Sequence, residues 1–355
     1  MSSVLFFHST EMAESTHGGQ DRESTSLTKP IFVNGRFENP WKSWRKNNLK
    51  DSFKFIKNGV NKQPPLKEEV ERTLPIIPPD FNRFSSSTTG IPLIWIGHAT
   101  VLVKIDNITV LADPIFSARC SFVQFFGPKR YRDPPCQIKD LPKIDAVVIS
   151  HNHYDHLDLS SVKELNQKYG KDLRWYVPQG MKKWMMDVGC ENVVEMTWWD
   201  EQKFPDKPDI RFVCTPTQHW SKRGVTDTNK SLWCSWAVIG PKHSFYFAGD
   251  TGYCEGFKEI GEKYGPFTVA AIPIGCYIPR EFLSPQHVSP SEAVEIHKDV
   301  KSLNSVGIHW GTFNMMAHEH YLAPREDLIL AVKEAGLKPT EFVTVKHGEL
   351  NIFEK

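Results

Sequence analysis

The chain has 355 residues, of which 40% are apolar and 24% are charged, and its formal net charge is +1. This composition can form a packed core and excludes global disorder, and the near-zero charge disfavours a protein that binds nucleic acid over its whole surface. The seven cysteines are scattered without a CxxC pair, so no disulfide framework is indicated, and reduced thiols in a cytosolic compartment are the simplest interpretation.

The part of the chain before residue 91 carries few strand signals. Residues 1–35 are rich in Ser, Thr, Glu and Gly, which predicts a disordered or adaptable arm. Residues 36–90 are a proline-rich extension, and within it residues 49–60 place apolar side chains at helical spacing with lysines on another face. This segment is either a short helix packed on the main domain or an interfacial helix that touches anionic lipid. Neither a signal peptide nor a transmembrane helix is expected.

From residue 91 onward, clusters of strands are separated by helices. The strand-like runs are IPLIWIG, TVLVKI, ITVLADP, DAVVIS, DIRFVCT, SLWCSWAVIG, HSFYFAG, TVAAIPIG, NSVGIHW and EFVTVKH. Helices are predicted over residues 160–168 and over residues 180–188. A third is predicted directly after HVS (residues 287–289), and a fourth in REDLILAVKEAG. The third begins with a capping box of Ser289 and Glu292. Since the strands come in clusters, a two-sheet core with helices outside fits better than one doubly wound sheet.

The run ISHNHYDHLD begins with the last two residues of the buried strand DAVVIS and places three histidines and two aspartates within residues 151–158. In an extended chain, His151 and His153 point the same way. If the chain then turns into a helix near Asp155, Asp155 and His156 face a neighbouring point. The two pairs could then serve adjacent cations, because imidazole with carboxylate suits Zn²⁺ and other first-row metals.

More side chains of the same ligand types follow apolar strands downstream. His219 follows DIRFVC, Asp250 follows HSFYFAG and His309 follows NSVGI. Taken alone, each is explained better as a capped strand end or a satisfied histidine than as a metal ligand. Together with the HxHxDH run, they predict one shared metal site.

Other polar residues near these strand ends are expected to have lesser parts. His98 in GHAT and Asp113 in ADP are expected to support metal ligands from behind, and so is Asp158. Three further histidines are expected to lie on the surface or in loops: His297, His318 and His320.

The ordered set of HNHYDH, His219, Asp250 and His309 resembles the binuclear metallo-β-lactamase superfamily. Within it, WIGHATVLV, ADPIFS, GPKRYR, TPTQHWSKR, FAGDTGYC, QHVSPSEAV and IHWGTF are similar to the N-acyl-phosphatidylethanolamine-hydrolysing phospholipase D family. The similarity runs from about residue 39 to the C-terminus. It implies a catalytic domain over residues 91–355 with the metallo-β-lactamase fold. This is an α+β, αββα sandwich of two mixed sheets with helices outside.

The resemblance also implies two Zn²⁺ per chain and a reaction. The first ion would take His151, His153 and His219, the second Asp155, His156 and His309, and Asp250 would bridge them. A hydroxide held by the two ions would attack the phosphorus of N-acyl-phosphatidylethanolamine. The products would be an N-acylethanolamine and phosphatidic acid.

Three more positions match substrate or ligand contacts of the family. Tyr154 and His287 would bind the phosphate, and Lys222 matches a position that binds an amphipathic, bile-acid-like ligand. Each also has a simpler explanation: packing beside the ligands, a turn before a helix, and a solvated lysine. With Asp155 and Asp250, His287 is a candidate catalytic residue, as acid to the leaving oxygen.

The partners that the resemblance implies are a phospholipid substrate, a second copy of the chain in a homodimer, and a membrane surface. The protein is therefore expected to be peripheral, on the cytoplasmic face of internal membranes, and not to bind nucleic acid. Two alternatives stay open. One is a hydrolase of the same fold acting on a lactone or another phosphodiester, and the other is a non-catalytic lipid-binding relative.

Overall fold

A computed structural model describes residues 27–47, Phe55, Lys57, 64–315 and 317–355. Sixteen strands lie within these residues: β1 (Ile31–Val33), β2 (Arg36–Glu38), β3 (Ile91–Gly97), β4 (Thr100–Ile105), β5 (Ile108–Ala112), β6 (Ala146–Val148), β7 (Arg174–Pro178), β8 (Val193–Met196), β9 (Glu201–Phe204), β10 (Lys207–Thr215), β11 (Ser235–Ile239), β12 (Ser244–Phe247), β13 (Val269–Pro273), β14 (Ser305–Ile308), β15 (Phe342–Val343) and β16 (Leu350–Phe353).

The same residues contain eight α-helices: α1 (Lys67–Thr73), α2 (Phe81–Ser86), α3 (Leu159–Tyr169), α4 (Lys182–Asp187), α5 (Gly256–Tyr264), α6 (Arg280–Leu283), α7 (Pro290–Asp299) and α8 (Ala323–Glu334). None of these helices has the length and apolar character needed to cross a membrane. The capping box predicted for α7 is present: Ser289 accepts from the Glu292 amide, and the Glu292 carboxylate accepts from the Ser289 amide.

The strands form two seven-stranded mixed sheets and a separate hairpin of β1 and β2. The first sheet has the order β16-β3-β4-β5-β6-β7-β8, and the second β15-β14-β13-β12-β11-β10-β9. From β5 to β8 in the first sheet, and from β12 to β15 in the second, neighbouring strands are parallel. Their carboxyl ends therefore collect at common edges, which is where polar side chains can meet.

Both faces of the first sheet are buried, and the two-residue period of a strand divides its side chains between them. In β3, Leu93 and Trp95 belong to the large core that includes the second sheet, while Ile94 and Ile96 belong to a separate core with Val162 of α3. Helices α5, α7 and α8 add their apolar faces to the large core. The result is the predicted four-layer αββα sandwich.

The region before residue 91 departs from expectation at one point. The arm predicted over residues 1–35 is wrong at its end, because β1 lies there and Thr28 donates to Glu259 of α5 through its amide and its hydroxyl. Trp41 is buried in the large core, so the segment that follows the β1–β2 hairpin packs on the main domain. The helix predicted over residues 49–60 falls outside the described residues, except for Phe55 and Lys57, which are helical.

The sequence also missed several elements of the sandwich. Strands β7, β8 and β9 were not predicted, and EFVTVKH forms only the two residues of β15. The last strand is β16, which pairs antiparallel with β3 in the other sheet. All seven cysteines are free, six of them buried, in agreement with the absence of a disulfide framework.

Candidate metal centre

Seven histidine and aspartate side chains meet at one edge of the sandwich, beyond the carboxyl ends of four strands. The turn after β6 contributes four of them, and the segments that follow β10, β12 and β14 contribute one each: His151, His153, Asp155, His156, His219, Asp250 and His309. Six are buried and His153 is half-buried. Sequence reasoning named all seven, and the fold brings all seven together.

The run after β6 is a turn and not the start of a helix. The amides of His156 and Leu157 both donate to the carbonyl of His153, at 3.1 and 2.8 Å. Helix α3 begins only at Leu159, and Asp158 is its N-cap because its carboxylate accepts from the Ser161 amide. Asp158 also accepts from the hydroxyl of Ser117. The expectation that Asp158 supports a metal ligand is therefore wrong, since it holds the helix and a neighbouring loop.

Three imidazole nitrogens converge in a first group. His153 Nδ1 lies 2.8 Å from His151 Nε2 and 3.2 Å from His219 Nε2. A tetrahedral zinc ion with Zn–N bonds of about 2.0–2.1 Å holds its ligand atoms about 3.3 Å apart. The spacing of these nitrogens therefore fits a small divalent ion.

Hydrogen bonds on the far side of two rings decide which nitrogen faces the centre of the first group. The hydroxyl of Ser150 donates to Asp113 at 2.5 Å and so accepts from His151 Nδ1 at 2.9 Å. His219 Nδ1 donates to the carbonyl of Gln286 at 3.0 Å. In both rings the proton is therefore on Nδ1, and the Nε2 lone pair is directed to the centre.

A second group combines a carboxylate with two imidazoles. Asp155 Oδ2 lies 3.4 Å from His156 Nε2 and 3.5 Å from His309 Nε2. His156 Nδ1 donates to Asp113 Oδ2 at 2.6 Å, and His98 Nε2 lies 2.9 Å from Asp155 Oδ2. Asp113 thus stands behind His156, as the sequence suggested, whereas His98 contacts the same Asp155 oxygen that faces His156 and His309.

Asp250 lies between the two groups. Its Oδ2 is 3.1 Å from His156 Nε2, and 3.8 and 3.9 Å from the Nε2 atoms of His219 and His151; its Oδ1 is 3.1 Å from His309 Nε2. The preceding residue, Gly249, has φ +61°, and a Cβ there would lie 2.6 Å from Cβ of Ser150. Glycine at that position therefore lets Asp250 reach the centre.

The two groups differ in their charge. Burial lowers the pKa of His151 and His219 well below the ordinary value and that of His153 to about 4, so these imidazoles are neutral. For His309, burial is outweighed by the neighbouring Asp250 and Asp155 carboxylates, and the pKa rises to about 9. The pKa of His156 is raised well above its usual value in the same way.

Several buried atoms of the cluster lack a hydrogen-bond partner within the described part of the chain. They include His156 Nε2, His309 Nε2 and Asp250 Oδ1; the two nitrogens each lie 3.1 Å from an Asp250 oxygen, in ion-pair contacts without hydrogen-bond geometry. Divalent cations at the two groups would satisfy these atoms, and the nitrogen and carboxylate donors suit first-row metals.

The backbone around the centre is strained at several strand ends. Positive φ angles occur at His98 (52°), Asp113 (37°), Cys276 (65°) and His309 (60°). Non-glycine residues seldom adopt this conformation, which costs of order 1–3 kcal/mol at each position and is concentrated at functional sites. Here the strain directs side chains toward the cluster at the ends of β3, β5, β13 and β14.

A cavity of about 690 Å³ opens above the cluster. At its floor it exposes His153, Asp155, His219, Asp250 and His287. Its walls carry apolar and aromatic side chains: Trp44, Phe55, Trp220, Phe282, Leu283 and Met315. The space can accept a ligand with one polar, reactive end and long apolar parts.

Tyr154 and His287 both line this cavity. The Tyr154 hydroxyl donates to the carbonyl of Arg223 at 2.8 Å, so it would have to leave that carbonyl to donate to a phosphate. His287 Nδ1 is buried, lacks a hydrogen-bond partner within the described residues and lies 3.9 Å from Asp250 Oδ2. The Arg280 guanidinium donates to the His287 carbonyl at 2.8 Å and forms a salt bridge with Glu292 of α7.

Sequence reasoning selected Lys222, but its neighbour Arg223 has the closer connection to the centre. Lys222 is exposed and does not line the cavity. Arg223 donates to the carbonyls of Asn152 and Leu157, and its guanidinium lies 4.2 Å from the centre of the Tyr154 ring. It therefore braces the turn that carries four of the seven cluster residues, and no sequence signal singled it out.

Of the histidines expected at the surface, one is buried. His297 of α7 is 4% exposed, and its Nδ1 lies 2.8 Å from the hydroxyl of Ser305. The expectation for His297 was wrong because the apolar face of α7 covers the second sheet. His318 is half-buried and His320 is exposed, both in the loop before α8.

Comparison with known proteins identifies the family. Residues 109–310 match the family model of the β-lactamase superfamily domain. The chain is 43% identical to N-acyl-phosphatidylethanolamine-hydrolyzing phospholipase D 1 of Caenorhabditis elegans over 91% of this chain and 94% of that protein. It is 34% identical to the mitochondrial phospholipase D of the same name from Saccharomyces cerevisiae, over 87% of this chain and 74% of that protein.

Solved structures agree on the fold. The metallo hydrolase Igni18 of Ignicoccus hospitalis superimposes with a TM-score of 0.57 at 22% identity, covering 75% of this chain and all of that one. An isothiocyanate hydrolase from Delia radicum gut bacteria superimposes with a TM-score of 0.58 at 19% identity, covering 74% and all of the respective chains. Given its near full-length similarity to the nematode enzyme, the chain belongs to the N-acyl-phosphatidylethanolamine-hydrolysing phospholipase D family of the metallo-β-lactamase superfamily.

Proposed function

We propose that the protein hydrolyses N-acyl-phosphatidylethanolamine to an N-acylethanolamine and phosphatidic acid. The observation that carries the proposal is the cluster of seven ligand-type side chains at the floor of a cavity with apolar walls. A phospholipid combines a phosphodiester for the floor with acyl chains for the walls. The two relatives named for this activity support the choice of substrate.

Two Zn²⁺ ions per chain are the proposed cofactors. His151, His153 and His219 would hold one, Asp155, His156 and His309 the other, and Asp250 would contact both. Bound there, the ions would supply an acidified water as nucleophile and positive charge beside the phosphoryl oxygens. Water would add to phosphorus, and the phosphorus–oxygen bond on the ethanolamine side would break.

His287 is the proposed contact to the phosphate. Burial lowers its pKa to about 4, so its imidazole is neutral near pH 7 and retains one N–H donor. A neutral ring can donate to a phosphoryl oxygen, but it cannot act as an acid that starts out protonated. We therefore favour positioning by hydrogen bonding over the role of acid to the leaving oxygen. Asp155 and Asp250 would act through the ions that they bind.

The remaining expectations are proposals that rest on the resemblance. They are a homodimer, peripheral attachment to the cytoplasmic face of internal membranes, and a role for Lys222 in binding an amphipathic ligand. Light scattering on the purified protein, with and without a bile acid, tests the first. Comparing the wild type with Lys222→Gln in the same measurement tests the last.

The reaction is tested with purified protein, N-acyl-phosphatidylethanolamine and water enriched in oxygen-18. Mass spectrometry should find N-acylethanolamine and labelled phosphatidic acid, and a chelator or His151→Ala should abolish both. Asn152→Ala is a matched control, because Asn152 lies in the same turn and contributes no side chain to the cluster. Diacylglycerol as product, label in the N-acylethanolamine, or full activity of His151→Ala would contradict the proposal.

A further inference from the structure

Residues 119–127, called here the aromatic loop, hold three phenylalanine rings out in solvent. Phe122, Phe125 and Phe126 are 74%, 83% and 71% exposed. Single exposed apolar residues are ordinary, but three large rings within five positions form an apolar patch that water does not favour. The metal centre makes no use of them, since none of the three lines the cavity.

Hydrogen bonds within the aromatic loop give it a defined shape. The amide of Arg119 donates to the side chain of Gln124, and the side-chain amide of Gln124 donates back to the Arg119 carbonyl, both at 3.1 Å. The Arg119 guanidinium also donates to the carbonyls of Gln124 and Gly127, at 3.1 and 2.5 Å. Because these bonds satisfy the interior of the loop with polar groups, the phenylalanine rings are left to point outward.

The base of the aromatic loop is tied to the protein. The Cys120 amide donates to the Pro128 carbonyl, and the Arg130 amide donates to the Ala118 carbonyl. The buried guanidinium of Arg130 donates to the carbonyl of Ser117 at 2.9 Å and lies 4.6 Å from the centre of the Phe313 ring. The exposed rings are thus presented on an anchored support.

The aromatic loop stands at the rim of the cavity above the metal centre. Cys120 near the start of the loop and Pro128 directly after its end line the cavity, and the Phe122 ring centre is 6.2 Å from that of Tyr154. Tyr154 in turn reaches the segment that carries Val225, which is 92% exposed. Apolar side chains therefore project on this side of the cavity.

Cations accompany these apolar groups. Lys129 is exposed at the base of the aromatic loop, and the exposed Arg45 and Lys46 line the same cavity beside Trp44. The formal net charge of the chain is only +1, so any attraction to anions must come from such local groups. Aromatic rings next to cations are the combination that inserts among lipid headgroups and pairs with anionic ones.

We propose that the aromatic loop docks on the surface of a phospholipid bilayer, with the rings of Phe122, Phe125 and Phe126 inserted among the headgroups. Lys129, Arg45 and Lys46 face anionic lipid around them. Docking in this orientation turns the cavity mouth toward the bilayer, so that a lipid enters the cavity without crossing bulk water. The inference rests on the proposed function and names the surface of the protein that makes the proposed membrane attachment, and its test does not use turnover.

The first test is co-sedimentation of the metal-loaded, full-length protein with vesicles of phosphatidylcholine, with and without phosphatidylserine. The triple variant Phe122→Ser/Phe125→Ser/Phe126→Ser should lose at least about tenfold in partition coefficient, because burying even one phenylalanine ring changes partition by about that factor. Lys46→Gln/Lys129→Gln should lose preference for phosphatidylserine by about fivefold per lysine. Leu330→Ser, which removes a 56% exposed side chain of α8, should bind as the wild type does.

A second measurement locates the insertion. Six of the seven native thiols are buried and Cys136 is half-buried, so a polarity-sensitive thiol dye should react first at Phe126→Cys. Its emission should shift to the blue on vesicles, whereas the dye on Leu330→Cys should not respond. Unchanged emission at position 126, or unchanged partition of a triple variant with wild-type thermal melting, would overturn the proposal. So would a triple variant that loses self-association but binds vesicles normally, because the loop would then be a subunit interface.

Discussion

The two groups of the metal centre lie side by side, yet the protein prepares them differently for a cation. In the first group, His151 and His219 make their outer hydrogen bonds to a hydroxyl and a backbone carbonyl. In the second, His156 makes its outer hydrogen bond to the Asp113 carboxylate, and Asp155 and Asp250 lie within 3.5 Å of the inner nitrogens. In the first group the partners are neutral, so the inner nitrogens keep their lone pairs free for a cation. In the second group the carboxylates keep protons on the imidazoles.

This difference teaches that burial alone does not set the protonation of a histidine. Every imidazole of the cluster loses hydration, which favours the neutral ring. Only where a carboxylate replaces the lost water does the pKa rise, to about 9 for His309 against about 4 for His153. A cation entering the second group must therefore displace protons, and a cation entering the first group need not.

The largest loss of activity is expected from a change at Asp250, which lies between the two groups. Asp250→Ala removes that carboxylate, so both ions should be lost or bound weakly. We expect activity to fall by more than about 10³-fold, beyond the roughly 10–100-fold that loss of a supporting residue costs. Metal analysis by mass spectrometry should find less than one ion per chain. A variant with two ions would contradict the bridging position.

Single-ligand variants separate the two groups. His219→Ala should empty the first group and His309→Ala the second, each leaving about one ion per chain, because the opposite triad keeps its own ligand atoms. Cobalt(II) absorption should differ between the two variants, since one retains an all-nitrogen triad plus Asp250 and the other includes Asp155. Identical spectra would mean that the remaining ion does not discriminate between the groups.

A variant of Asp113 tests whether one carboxylate orients histidines of both groups. Its carboxylate accepts from His156 and from Ser150, and Ser150 in turn accepts from His151. Asp113→Asn should lower metal affinity about 10–100-fold in both groups, measured by competition with a chelating dye. Asp106→Asn is the matched control, because Asp106 pairs with His243 away from the centre. An effect on the second group alone would show that Ser150 orients His151 unaided.

The two groups should also differ in how their metal affinity responds to pH. In the metal-free protein, His309 keeps its proton up to about pH 9, so metal affinity of the second group should rise between pH 7 and pH 9. The rise should approach about tenfold per pH unit for each proton displaced. The first group, whose His153 has a pKa of about 4, should bind with nearly constant affinity in the same range. Zinc titrations of His219→Ala and His309→Ala isolate the two behaviours, and equal slopes would remove the distinction.

Most of the sandwich was predictable because its strands and helices have strong local signals. The runs that became β3, β4 and β5 are continuous and apolar, and Ser289 with Glu292 marked the start of α7 to the residue. Strand β9 (EQKF) escaped notice because its burial pattern is almost wholly exposed, so no apolar run announces it. Strand β16 pairs with β3 at the other end of the chain, and a contact between such distant residues cannot be predicted from a short stretch of sequence.

For the metal centre, residue types and their order after strands were enough to name the cluster, because few other structures need so much imidazole and carboxylate together. Spacing could not reveal contacts that depend on the folded loops. Arg223 braces the His151–His156 turn from a sequence distance of about 70 residues, and Asp158 looked like a ligand support although it caps a helix. The Tyr154 hydroxyl likewise turned out to be engaged with a backbone carbonyl.

The final strand has a consequence for handling the protein. Strand β16 supplies the hydrogen-bonding partner for the outer edge of β3, whose seven residues are all buried. Clipping the last six residues would uncover a long apolar edge, which is a ready template for pairing with another molecule. We expect such a truncation to precipitate at concentrations where the intact chain stays in solution. A carboxypeptidase digest followed by turbidity would therefore read out the integrity of the first sheet.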